Sequence, residues 1–290
     1  MELRCEGCAG CCVDWRPLAP DAAGTDRTGD RPPLDDTYDL VPLTRDEIAR
    51  FLDDGLADVL VPRLFEPADG DKSVRIDGVA VAAPGDRPVF AVGLRKPPKP
   101  VAPVGTGEHR WLDACVFLDP TTLQCRLHDD ERYPRTWATY PAHSLELGAE
   151  TECERVEVAG GGDRLLDDAV PEDTPPLPFG PRAAGATVFA YPDPADLDGA
   201  VSRLRVDALT ADDRARFVGA AIGSSPGSLS VARDRMAEAR ARARDADSWA
   251  GRAIRAWTDR AAGDSDTVAL DAAARERFAR DLGDDPGAPA

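Results

Sequence analysis

At 290 residues the chain is long enough for one large domain or two ordinary ones, and no apolar run approaches the roughly 20 residues that span a bilayer. Acidic residues outnumber basic ones 53 to 35, for a net charge of −18, and no basic stripe is present, which argues against nucleic acid as a partner. The acids are dispersed, and the only lysines are Lys72, Lys96 and Lys99, so the composition reads as a solvated, halophilic-type acidic surface. The N-terminus places Cys, Gly and Arg where a signal peptide would have its apolar stretch, so a cytoplasmic protein with no membrane partner is expected.

The chain opens on "MELRCEGCAGCC", which holds four of its seven cysteines: Cys5, Cys8, Cys11 and Cys12. A Pro- and Asp-rich loop is predicted from about Pro17 to Tyr38. "LTRDEIARFLDDG" follows as a short helix, with Thr44 as N-cap, Glu47 completing a capping box and Gly55 as the stop. "SVRIDGVAVAAPGDRPVFAVGLR" alternates on both sides of "PGD" and predicts a hairpin turning there. A second hairpin is predicted at "WLDACVFLDPTTLQCRLH", turning at Asp119–Thr122, with Cys115 and Cys125 directly opposite at about 5 Å.

From about Gly160 to Asp198 the chain is rich in Pro, Gly and Asp and reads as a linker, interrupted by one strand candidate, "ATVFAY". Helical spacing then takes over. "TADDRARFVGAAIG" has Thr210 as N-cap, and "SLSVARDRMAEARARARDADSWAGRAIRAWTDRAAG" predicts a long helix or a pair broken near Asp245–Asp247. "TVALDAAARERFARDLG" predicts a last helix stopping at Gly283. Trp249, Ile254 and Trp257, continued by Met236, form the expected buried stripe of a helical bundle. The fold class is therefore α+β. A cysteine-cluster region of short hairpins, loops and a short helix spans 1–160, with an insertion at about 20–105; a linker spans 161–200, and a helical region spans 201–290.

Clustered cysteines in a reducing compartment point to metal rather than to disulfides. Two residues between thiolates make a tight turn that brings both sulfurs onto one ion, at about 2.3 Å for zinc. A CxxCxxC run also suits three corners of a four-iron cluster. Cys12, adjacent to Cys11, suggests a second metal or a supporting role, and Gly7 and Gly10 suit turns wrapped about an ion. Cys115, Cys125 and His128 (in "CRLH") are further ligand candidates, with Cys153 as a late addition. His109 and His143 have no such spacing and are expected at the surface or in local hydrogen bonds.

"CEGCAGCC", "CVFL" at Cys115, "CRLH" at Cys125 and "PRTWATYP" at Pro134–Pro141 together resemble the CxxCxxCC (YkgJ-type) cysteine-cluster family, described as a zinc- or iron-chelating domain. The resemblance implies ligands among Cys5, Cys8, Cys11, Cys12, Cys115, Cys125, Cys153 and His128. It departs at Trp137 and Ala138, where that family has Cys and Arg, so that His128, Cys153 or Asp129 would have to substitute. The expected function is a cysteine-ligated zinc or iron site. Alternatives are an iron–sulfur oxidoreductase or protein-modifying enzyme, and a metal chaperone or sensor. "RYPRTWATYP" is expected to pack Tyr133, Trp137 and Tyr140 beside the site.

Overall fold

The computed structural model describes residues 9–18, 33–35, 37–38, 40–101, 109–128, 130–142, 151, 153–154, 157–158, 164–167, 169, 187–225 and 228–263, and the backbone of 267–268. In chain order the elements are α1 (Arg45–Asp53), β1 (Leu60–Leu64), β2 (Ser73–Ile76), β3 (Val79–Ala82), β4 (Val89–Leu94), β5 (Pro98–Val101), β6 (His109–Asp113), α2 (Arg135–Ala138), β7 (Phe189–Ala190), α3 (Ala200–Leu204), α4 (Ala211–Gly223), α5 (Arg233–Arg244), α6 (Trp249–Gly263) and β8 (Thr267–Val268). The fold is α+β: small antiparallel sheets dominate the first half and helices the second. Among the described residues, no helix is long and apolar enough to cross a membrane.

Contacts divide the chain into two units, each assembled from distant segments. The first comprises Met1–Thr25, Arg95–Pro178 and Trp249–Ala290; the second comprises Asp26–Leu94 and Phe179–Ser248.

In the second unit, β4 is the central strand of the sheet β1-β4-β7, pairing Leu64 with Phe90 on one side and Phe90 with Phe189 on the other. The strand expected in "ATVFAY" is therefore β7. Local chemistry fixes α1. Thr44 Oγ1 accepts from the Glu47 N–H, while the Glu47 carboxylate accepts from the Thr44 N–H at 2.7 Å. At its other end Gly55 has φ 74°, its N–H reaches Leu52 O, and Leu56 N–H reaches Phe51 O, which together make a Schellman motif. Thr210 and Asp213 form the same reciprocal cap on α4, and Arg203 adds two 2.7 Å bonds to the Asp213 carboxylate.

The first hairpin is tighter than the sequence pattern suggests. β2 pairs with β3 around Asp77–Gly78, with φ of 50° and 80°, while "PGD" is a short turn leading to β4, which pairs elsewhere. Asp-Gly accepts positive φ at both positions and matches the twist of the flanking strands, so it outcompetes the later turn. The Asp77 carboxylate also accepts N–H bonds from Gly199 and Ser202, tying the hairpin to the start of α3.

Phe217 of α4 meets Phe90 at 5.0 Å and Tyr191 at 5.4 Å between ring centroids, which joins helix to sheet. α4 and α5 approach through glycine: a Cβ on Gly219 would lie 2.6 Å from Met236 O, and one on Gly223 3.0 Å from Ala232 O. The long helical segment is indeed a pair, broken between α5 and α6.

In the first unit, β6 lies between β5 and β8. Pro98 and Pro100 are tolerated because β5 is an edge strand, where a missing N–H costs no ladder bond. Trp249, Ile254 and Trp257 are buried on one face of α6, which packs on β5 rather than in a helical bundle. Met236, expected to extend that stripe, belongs to α5 in the other unit. His109 is buried and not at the surface, since side chains of β6 alternate between faces: His109 is turned inward, while its neighbour Arg110 is exposed. Thr267 and Val268, expected to open a helix, pair with β6 instead; the remainder of that predicted helix, with Gly283, lies outside the described residues.

Two outcomes follow for the second unit. Gly219→Ala should destabilise by about 1–3 kcal/mol through overpacking, even though alanine is the better helix former by about 1 kcal/mol; urea denaturation gives the sign. Burial pushes the Asp213 carboxyl up, but the Arg203 fork and the Thr210 cap outweigh it and hold it at about 2. Its unfolded value is about 3.9, so its contribution is full above about pH 4 and fades as pH falls toward 2. Asp213→Asn should therefore cost about 1–2 kcal/mol near neutrality, with a gap to the native chain that narrows in acid melts.

Candidate metal centre

The cysteine region is built on a short antiparallel pairing. Cys12 N–H and Val13 N–H both donate to Ala9 O, closing a turn in which Ala9 has φ 50°. Beyond it, Val13 bridges Ala114, Asp14 N–H donates to Asp113 O at 2.7 Å, and Cys115 N–H donates to Cys12 O at 2.8 Å. Residues 12–14 thus run alongside the end of β6, which sets Cys12 beside Cys115. Trp15 Nε1 donates to Gly10 O, and Arg16 forks onto Asp14, fixing the segment on either side of the pairing.

Cys125 arrives from the hairpin that follows. Asp119 N–H donates to Gln124 O, Arg126 N–H donates to Phe117 O, and Leu118 bridges Cys125. The Asp119 carboxylate accepts from the Thr121 and Thr122 N–H groups at 2.8 and 3.0 Å. That side-chain turn holds the loop at 119–124, so Cys125 faces Leu118 and not Cys115, a register different from the expected one.

Cys11 Sγ and Cys12 Sγ stand 3.9 Å apart. Two sulfurs each about 2.3 Å from one tetrahedral ion would stand about 3.8 Å apart, so this vicinal pair has the spacing of two ligands on one ion. The Cys12 thiol is pushed well up from its ordinary value, first by its contact with Cys11, then by burial and by the charges of Cys11, Cys115 and Cys125. Burial raises Cys115, and burial with the Cys115 charge pushes Cys125 up to about 12. The described sulfurs of Cys11, Cys12, Cys115 and Cys125 therefore feel one another as like charges. An all-sulfur donor set of this kind suits zinc or iron, and a bound cation would reverse the repulsion. Among the described residues, no group of three or more His, Cys, Asp and Glu side chains is arranged as a metal site; Cys5 and Cys8 lie outside those residues, as do Asp129 and His143.

Cys153 and His128 both reach the aromatic segment, and His128 N–H also donates to Cys125 O at 3.2 Å. Cys153 N–H donates to Tyr140 Oη at 3.3 Å, and the His128 ring lies 5.6 Å from that of Tyr133. Tyr133 in turn meets Trp137 at 6.2 Å, and Trp137 is buried on α2. The Trp137 indole thus packs against the Tyr133 ring.

Two residues escaped the motif reading. Lys96 Nζ lies 3.4 Å from Cys11 O, and Lys99 Nζ donates to Val116 O and Leu118 O at 2.7 and 2.6 Å, inside the loop that carries Cys115. Burial brings Lys99 down to about 7, against the opposing charge of Cys115. Their signal was compositional: two of the three lysines sit in "LRKPPKP".

The model of a family of unknown function, DUF7531, matches residues 1–290. The chain belongs to that family. No curated protein and no solved structure matches it. The family carries no assigned activity, so the functional reading rests on the residues themselves.

Proposed function

We propose that this chain is a cytoplasmic metal-binding cysteine-cluster protein, in which zinc or iron is held by thiolates drawn from Cys5, Cys8, Cys11, Cys12, Cys115 and Cys125. The observation that carries the reading is the pairing of residues 12–14 with 113–115, from segments about a hundred residues apart, which sets Cys12 against Cys115 with the Cys11 sulfur 3.9 Å from that of Cys12. Buried thiols that raise one another's pKa gain little from being together in a bare protein, whereas a divalent cation turns that proximity into binding energy. The resemblance of the four cysteine and aromatic motifs to the CxxCxxCC proteins supports the same reading. Cys153 and His128 remain further ligand candidates, His128 beside Cys125 through the turn in which its N–H donates to Cys125 O at 3.2 Å.

The ion's role in this reading is structural: it would fasten the N-terminal segment to the 113–126 region, so that metal binding contributes to folding. A four-iron cluster puts each cysteine on its own iron and its sulfurs farther apart than the 3.9 Å of Cys11 and Cys12, which favours a single ion.

The test is anaerobic purification followed by elemental analysis and an absorption spectrum. A colourless chain with stoichiometric zinc is expected, with Cys11→Ser and Cys115→Ser each losing metal and melting at lower temperature. A brown chain would shift the reading to iron–sulfur chemistry. Unchanged metal content and melting in both serine variants would overturn the ligand set.

A further inference from the structure

In an extended strand neighbouring side chains point to opposite faces, which would carry the sulfurs of Cys11 and Cys12 apart. A turn prevents that here. The N–H groups of Cys12 and Val13 both donate to Ala9 O, at 2.9 and 3.1 Å, and Ala9 takes the φ of 50° that closes the loop. Extended pairing begins only at Val13, which bridges Ala114. The two sulfurs are therefore kept together, 3.9 Å apart. The backbone behind each is fixed: Cys12 O accepts from the Cys115 N–H at 2.8 Å, and Cys11 O accepts from Lys96 Nζ at 3.4 Å.

Access to solvent is unequal across the pair. Cys12 is buried, with 6% of its surface exposed, whereas Cys11 is half-buried. An accessible thiol with a second one beside it is the arrangement of an attacking and a resolving sulfur. Neighbouring Cα atoms stand about 3.8 Å apart, short of the roughly 4.4–6.8 Å usual for a disulfide, so a ring closed between them is strained and readily reopened. Such a bond suits a reversible link better than a permanent staple.

We infer that Cys11 and Cys12 are a modification site, a dithiol that a small-molecule disulfide converts to a vicinal disulfide, and that this link releases the bound metal. The second half of the inference rests on the metal-binding reading above. The Cys11 thiol gives its proton to solvent and attacks one sulfur of the small disulfide; a mixed disulfide forms on Cys11 and the first small thiolate leaves. The Cys12 thiol then loses its proton and attacks the Cys11 sulfur; the Cys11–Cys12 bond forms and the second small thiolate leaves. Two electrons pass from the protein to the small disulfide, and the two departing thiolates take up the two protons. Sulfurs bound to each other are no longer thiolates, so oxidation withdraws two ligands at once.

The experiment exposes the full chain, purified anaerobically, to oxidised glutathione, with released zinc or iron measured in parallel. The chain is then alkylated in denaturant, digested with trypsin and mapped by mass spectrometry. The peptide that follows Arg4 and ends at Arg27 carries Cys5, Cys8, Cys11 and Cys12, and its fragment masses assign a link among them. The expected result is a loss of two hydrogens, with Cys11 and Cys12 closed to alkylation and Cys5 and Cys8 open to it. Metal leaves in step with the link, and dithiothreitol restores both the thiols and metal binding. Cys12→Ser should instead stop at a glutathione adduct on Cys11, a product that a merely structural cysteine pair would not give; if that variant does not fold, the map of the native chain decides. Cys11 and Cys12 that stay open to alkylation, a link from either to another cysteine, or metal retained on the linked chain overturns the inference. A chain that holds no metal as purified removes the metal-binding reading instead, a result on which the mapping of the link does not depend.

Discussion

The cysteine region depends on one interaction, the backbone pairing of residues 12–14 with 113–115. Closing a flexible loop of about a hundred residues costs roughly 4 kcal/mol by the logarithmic rule, and each backbone hydrogen bond returns a net of only about 1 kcal/mol. The two described bonds of the pairing therefore return about half of that cost. Folding of the second unit, which takes up Asp26–Leu94, shortens the loop that remains to be closed. What is left falls to apolar burial, since Val13, Ala114, Val116 and Phe117 on the two sides of the pairing are all buried.

Electrostatics adds a second constraint on the same region. Cys12 and Cys115 are buried, and every influence described on them that comes from another cysteine raises the cost of a thiolate. Lys99 and Lys96 act in the opposite sense on Cys115. Burial brings Lys99 down to about 7, while Cys115, Asp119 and Cys12 favour its charged form, so sulfur and ammonium are balanced against each other and against a carboxylate in one buried neighbourhood.

Features whose chemistry is local were legible in the sequence. Thr44, Glu47 and Gly55 delimit α1 as spacing predicts, and Thr210 opens α4, because a cap and its partner lie within one turn. The break between α5 and α6 was also readable from Asp245 to Asp247. Where two local signals competed, the wrong one was favoured: Asp77–Gly78 lost to "PGD" on paper and won in the fold, since positive φ at both central positions decides the turn. The register of Cys125 was missed because the Asp119 side chain, and not the proline, sets the loop. Position across the chain was not readable at all. Helical spacing joined Met236 to Trp257, although these residues serve different units. Nothing in "LRKPPKP" says that Lys99 will be enclosed by the 116–118 loop and α6, for its meaning exists only once those segments meet.

The surface and the interior of this chain obey different electrostatic rules, and the acidic composition makes the difference matter. A pair such as Arg242 with Asp53, with side chains 45% and 67% exposed, sits in water and is screened as salt rises. A protein with a net charge of −18 gains from concentrated salt, which relieves its self-repulsion but also strips value from surface pairs. Mobile ions have no access to Lys99, which is buried, so its bonds to Val116 O and Leu118 O and its contact with the Trp257 ring are screened far less. Ionic strength therefore acts on the arginine–carboxylate pairs at the surface while leaving the ammonium that holds the 116–118 loop largely untouched.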